Sequence, residues 1–221
     1  MEIVDKKINF LGDSITEGVG ASTIENDYVN VFARISGAEV RNYGISGTRI
    51  ARQIGIPEEE WERVNRNFFT NRVDEMDADA DIVVVFGGTN DFGHGDAPLG
   101  SMTDRTDCTF YGALHVLCNQ LLNRYPNALI VFMTPLHRLG ENDALNNAAV
   151  RAVAPLSRYV EIIKEVAQYY SLPVLDLYSM SGIQPNVEII RQKYMPDGLH
   201  PCDEGMEKIA KLLYAFLKNN F

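Results

Sequence analysis

The chain has 221 residues, 46% of them apolar, with 20 Lys and Arg against 30 Asp and Glu for a net charge of −10. That length suits one compact domain with a full core, and the apolar content excludes disorder. The acidic balance argues against nucleic acid and anionic lipid as natural partners.

The start of the chain, Met1 to Lys7, has no apolar h-region, so a secretory signal is not expected and a cytoplasmic location is. Ile8 to Leu11 then reads as a buried strand. The chain turns at Gly12 and presents Asp13 and Ser14, which either expose a hydroxyl to a ligand or merely form a turn or helix cap. Tyr28, Val31, Phe32 and Ile35 follow helical spacing, with Gly37 as the stop. Glu39 to Tyr43 reads as a second strand, ending in the glycine-marked loop Gly44-Ile45-Ser46-Gly47. Arg49 to Ile54 is predicted to begin a helix, broken near Pro57, and Glu58 to Asp77 to be helical in part.

Ile82 to Phe86 is continuously apolar and β-branched, as a parallel strand covered on both faces should be. Gly87-Gly88-Thr89-Asn90-Asp91 ends it. Phe92 to Asp107 is predicted to be a long loop, a length that usually signals function. Phe110, Leu114, Leu117 and Leu121 mark a helix ending near Tyr125-Pro126. Leu129 to Met133 is a fourth strand, followed by a polar loop from Arg138 to about Asn147. Leu156, Tyr159, Val160, Ile163 and Ala167 mark the next helix, and Val174 to Leu177 a short fifth strand. A short helix over Val187 to Tyr194 and an amphipathic one through Met206, Ile209, Leu213 and Leu217 complete the series.

Strands alternate with helices throughout. This predicts an α/β fold: a three-layer α/β/α sandwich around a parallel five-stranded sheet, one domain over residues 1–221. Loops leaving the carboxyl ends of such strands gather on one edge, so those at Ser14, Gly44 and Asn90 should meet there. No apolar run approaches the ~20 residues needed to cross a bilayer. Cys108, Cys118 and Cys202 are odd in number and unpaired in spacing, which argues against a disulfide framework or a structural zinc site.

Serine hydrolysis needs a hydroxyl, a histidine base, a carboxylate to orient it, and donors for the oxyanion. Pro196-Asp197-Gly198-Leu199-His200-Pro201 offers a carboxylate and an imidazole three residues apart in one tight turn. Asp91-Phe92-Gly93-His94 has the same spacing on the same edge, and local spacing does not separate His94 from His200. His115, inside a helix, reads as structural. His137, after the fourth strand, borders the expected pocket.

The sequence resembles the SGNH, or GDSL-like, hydrolase family. Gly12-Asp13-Ser14 resembles its first block, Gly44 within Asn42-Tyr43-Gly44-Ile45-Ser46-Gly47 its second, Gly87 to Asp91 its third and Asp197-Gly198-Leu199-His200 its fifth. Ile15 stands where the family name has Leu. The resemblance implies a flavodoxin-like fold and metal-independent ester hydrolysis through an acyl-enzyme, with no cofactor. Ser14 would be the nucleophile, His200 the base and Asp197 its support. The Ser14 and Gly44 N–H groups and the Asn90 amide would hold the oxyanion, where losing one donor costs on the order of 10²–10³ in rate. Asp13, Tyr43, Phe92, His94 and His137 would line the pocket.

The expected substrate is a small-molecule ester carrying a small acyl group, such as acetyl, on a carbohydrate or similar polar alcohol. The alternative is a lysophospholipase or acyl thioesterase, with Phe92, Phe110, Met133 and Leu136 as candidates for its apolar groove. Two other readings are a zinc site built from histidines with Asp91 or Asp96, and a flavodoxin-like binding domain whose Ser14-Thr16 loop cradles a phosphate. The sequence does not decide between a monomer and a homo-oligomer.

Overall fold

The computed structural model of the protein describes residues 2–143, 145 and 153–221. In chain order its elements are β1 (Lys7–Gly12), α1 (Ser14–Glu17), α2 (Tyr28–Ser36), β2 (Glu39–Gly44), α3 (Glu58–Asn65), α4 (Phe69–Arg72), β3 (Ile82–Phe86), α5 (Thr89–His94), α6 (Phe110–Arg124), β4 (Leu129–Met133), α7 (Leu156–Tyr169), β5 (Val174–Leu175), α8 (Leu177–Met180), α9 (Glu188–Tyr194) and α10 (Asp203–Asn220). The strands form one sheet in the order β2-β1-β3-β4-β5, with every pairing parallel.

Alternation along the strands makes two apolar layers. Ile8, Phe10, Ile82, Val84, Phe86, Val131 and Met133 face α2 and α10. Leu11, Val83, Val85, Ile130 and Phe132 face α4, α6 and α7. The layers share the sheet, giving the expected three-layer α/β/α sandwich with a flavodoxin-like strand order. Among the described residues no helix is long and apolar enough to cross a membrane.

Strand order positions the site. The chain leaves β1 towards β2 on one side and returns to β3 on the other, so the turns after β1 and β3 diverge at the carboxyl edge and leave a crevice. Gly12 at the end of β1 sits in register with both Gly44 and Phe86. The buried Arg72 locks these ends together. Its guanidinium donates to the carbonyls of Tyr43 and Gly12 and to Thr48 Oγ1.

Three segments differ from the sequence expectation. Arg49 to Ile54 is not helical. The Asp91 carboxylate accepts from the N–H groups of Ile50 and Ala51 at 3.0 and 2.9 Å, and Asp96 from Ile54 N–H at 3.0 Å, which holds the segment against α5. The predicted loop over Phe92 to Asp107 begins inside α5, and its remainder is stitched down by the Asp104 carboxylate, which takes Ser101 Oγ and Thr109 Oγ1 at 2.9 Å each. β5 ends at Leu175, because Asp176 caps α8 by accepting from Ser179 N–H at 3.2 Å. The polar loop expected from Arg138 to about Asn147 lies partly outside the described residues.

Candidate active site

Ser14 is the first residue of α1. Asp13 caps that helix, its Oδ1 accepting from Ile15 N–H at 3.0 Å. The turn needs Gly12, since a Cβ there would lie 1.9 Å from Thr16 Oγ1. His200 arrives from the other end of the chain, on the connection between α9 and α10. Gly198, at φ +80°, has no room for a Cβ beside the Leu139 side chain, and its carbonyl accepts from Leu139 N–H at 2.8 Å. Asp203, at the start of α10, accepts from Ser22 N–H and Oγ at 2.7 and 2.6 Å and from Asn26 at 2.9 Å. These contacts bring the loop after α1 against His200 and Pro201.

The result is a chain of hydrogen bonds. His200 Nδ1 lies 2.7 Å from Asp197 Oδ2, and His200 Nε2 lies 3.1 Å from Ser14 Oγ. With the Nδ1 proton donated to the carboxylate, Nε2 is left bare to accept from the Ser14 hydroxyl. Asp197 Oδ1 also accepts from the N–H groups of Leu199 and His200, at 2.8 and 2.7 Å. Partial burial pushes the Asp197 carboxyl upward. The two N–H groups and the imidazole outweigh it and hold the carboxyl below its ordinary range.

His94, with the same Asp-x-x-His spacing, faces elsewhere. Asp91 is turned to Ile50 and Ala51, so it gives His94 no carboxylate. Arg49 donates to His94 Nδ1, which fixes the proton on Nε2, and Nε2–H donates to Asn90 Oδ1 at 2.9 Å. Burial, then the charges of Arg49 and Arg138, hold the His94 pKa down to about 4. His94 is therefore a neutral donor that fixes the Asn90 amide. Asn90 Nδ2 gives one hydrogen to Thr48 O at 3.1 Å and keeps the other for the cavity.

A cavity of about 280 Å³ opens between Ser14, His200, Asn90, His94, Gly47 and Arg138. A larger one, about 430 Å³, lies against α10 beside Tyr194 and Leu212 and has no such convergence of polar groups. Among the described residues no group of three or more His, Cys, Asp or Glu side chains could hold a metal ion.

Several residues expected at the cavity are elsewhere. Gly44 gives its N–H to Asn42 Oδ1 at 2.8 Å, and its α-carbon packs on the backbone of α1, where a Cβ would meet Glu17 N at 2.2 Å. Gly47, three residues on, lines the cavity instead. Its φ is +74°, a Cβ there would meet nothing within 4 Å, and its N–H takes no partner among the described residues. Tyr43 hydrogen-bonds Asp77, 3.0 Å from its hydroxyl. Phe92 is a core residue against Tyr159. His137 stacks on Tyr178 and bonds Glu141 at 2.9 Å. Asp13 is buried beneath Ser14. His115 is structural as expected, its Nδ1 3.1 Å from the Tyr170 hydroxyl.

Sequence reasoning missed Gly47, Ser46 and Arg138 as cavity residues. Ser46 ties its loop to α1 through the Glu17 carboxylate, which accepts from Ser46 N–H at 2.6 Å. Arg138 follows β4 on the same carboxyl edge, and that placement was the available signal.

Asp13 carries a pH dependence. Burial pushes its carboxyl up to about 7, against the pull of Ile15 N–H, with the Asp91 charge adding and Arg72 and Arg138 opposing. A folded-state pKa above the unfolded value favours the folded protein at low pH, and that contribution is lost as pH rises through about 7. Asp13→Asn keeps the capping oxygen and removes the charge. The variant should gain stability on wild type between pH 5 and pH 8, by about 1.4 kcal/mol for each pH unit from 5 up to the folded value of about 7. Urea unfolding at both pH values measures this, and an unchanged difference would contradict it.

A model of the GDSL-like lipase/acylhydrolase family matches residues 10–208 of the chain. One solved structure is 35% identical, with 100% of this chain and 99% of that chain covered and a TM-score of 0.84. A protein from Lactobacillus plantarum is 30% identical, with 99% of each chain covered and a TM-score of 0.84. A protein from Bacteroides ovatus, put forward as a GDSL-like lipase, is 20% identical over 98% of this chain and 99% of its own, with a TM-score of 0.70. No curated protein matches.

Proposed function

The chain belongs to the GDSL-like lipase/acylhydrolase family, and on that premise we propose that it is a one-domain, metal-independent serine ester hydrolase using Ser14, His200 and Asp197. Family membership carries hydrolysis of esters. The observation behind the finer assignment is the continuous relay from Asp197 Oδ2 through His200 to Ser14 Oγ, with links of 2.7 and 3.1 Å.

In this reading His200 Nε2 takes the Ser14 proton as Oγ attacks the ester carbonyl. Asp197 stabilises the imidazolium that forms. The imidazolium then protonates the leaving alcohol, and water repeats the sequence on the acyl-enzyme. The oxyanion is held by the N–H of Ser14, the first of α1, by the N–H of Gly47 in place of Gly44, and by the free hydrogen of the Asn90 amide.

Two observations favour a small acyl group. The cavity is only about 280 Å³. Phe92, Phe110, Met133 and Leu136, the residues considered for an apolar groove, are all buried in the core, which counts against a lysophospholipase or thioesterase. We therefore assign the enzyme a short acyl group, acetyl above all, on a carbohydrate or similar polar alcohol. A phosphate-cradling role is disfavoured. α1 is only four residues long, with Glu17 in its first turn, so it offers an anion little field.

A chain-length series of p-nitrophenyl esters tests the assignment. The expected profile peaks at acetate, and kcat/KM rising towards octanoate would overturn it. Activity should survive a strong chelator and be lost to a serine-reactive fluorophosphonate.

A further inference from the structure

We propose that the cavity beside Ser14 selects esters whose alcohol carries a carboxylate, and that Arg138 is the residue that recognises that charge. The proposal rests on the serine-esterase reading and narrows its substrate class to acetyl esters of acid-bearing alcohols.

Arg138 is 2% exposed, yet it lines the cavity that Ser14 and His200 open onto. Its Nη1 is committed, donating to Thr89 O and Oγ1 at 3.0 Å each. Its Nε is buried without a partner. Nη2 takes no partner among the described residues and is the donor left for the cavity. No carboxylate pairs with this guanidinium among the described residues. The acids whose charges it feels are Asp13, Asp197 and Glu141. Each is engaged elsewhere: Asp13 with Ile15 N–H, Asp197 with His200, Glu141 with His137.

A buried cation without a counter-ion is costly, and such charges are normally paired. Here the fold builds a seat for one. Gly93 leaves the space the guanidinium fills, since a Cβ there would lie 2.6 Å from Nη1, and the Phe92 ring lies 5.4 Å beneath. Arg49, mostly buried nearby, contacts His94 rather than a carboxylate. Arg138 is the charged side chain among those that line the cavity, in a chain whose net charge is −10. A substrate carboxylate supplies the missing counter-ion, through a charge-assisted hydrogen bond to Nη2.

The test compares 3-acetoxybenzoate with 3-acetoxybenzamide, each rate divided by that ester's hydroxide-catalysed rate. Wild type should prefer the carboxylate by about tenfold or more in kcat/KM. In Arg138→Gln the ratio should fall towards one, and in Arg138→Lys it should be retained in part. General losses cancel in the ratio. A wild-type ratio near one, or a ratio that Arg138→Gln leaves unchanged, would overturn the proposal. Should Arg138→Gln not fold, as judged by its melting transition, wild-type binding of 3-hydroxybenzoate against 3-hydroxybenzamide by calorimetry decides, with equal affinities overturning it. If neither ester is hydrolysed and fluorophosphonate labels no serine, the esterase reading fails, and the calorimetric comparison still judges the charge selection separately.

Discussion

Ser14→Ala should lower kcat/KM for p-nitrophenyl acetate by at least ~10⁴-fold, with folding intact. The substitution deletes one oxygen. The contacts that shape α1 are made by other atoms: Asp13 Oδ1 caps it, and Gly18 N–H bonds the Ser14 carbonyl at 3.1 Å. The change therefore falls on chemistry and not on the turn. The residual rate reports what the remaining oxyanion donors and binding supply. Labelling by a fluorophosphonate should vanish with activity. A Ser14→Ala protein that keeps more than a tenth of wild-type turnover would remove the hydroxyl from the mechanism.

The second large effect is a ranking of histidines. His200→Ala should cost ~10³-fold or more, because among the described residues no other base lies against Ser14 Oγ. His94→Ala should cost only about tenfold, expressed in kcat, because it deletes a support of an oxyanion donor and not the donor itself. Asn90 keeps its bond to Thr48 O at 3.1 Å in that variant, which limits how far the amide can wander. Steady-state kinetics on both variants, with circular dichroism as the folding control, measures the ranking. The opposite order would reassign the base.

Much of this architecture was legible in the sequence because it rests on local signals. Ile82 to Phe86 has no polar residue and had to be a covered strand. Gly37 ends α2 at φ 73°, as its place after the apolar stripe implied. The Ser14 and Asn90 segments follow strands, so their convergence followed from the rule that strand-end loops share an edge, whereas His200, between α9 and α10, was legible only from its Asp-x-x-His turn and the family resemblance.

What failed to read involved choices between near neighbours or partners far along the chain. Gly44 and Gly47 both look like backbone-approach glycines. The Asn42 carboxamide, which takes Gly44 N–H, and the packing of Gly44 on the backbone of α1 separate them. Arg49 to Ile54 has helical composition, but Asp91 and Asp96, some forty residues away, take its N–H groups. Arg138 reads as an ordinary loop cation, since its burial comes from Thr89, Phe92 and Gly93 on another strand's turn.

The Ser14–His200 contact spans 186 positions. During synthesis the hydroxyl emerges 186 residues ahead of the imidazole. A nascent chain that stops short of His200 therefore has no such pair to join. Assembly of the relay is in this sense reserved for chains that have passed both positions.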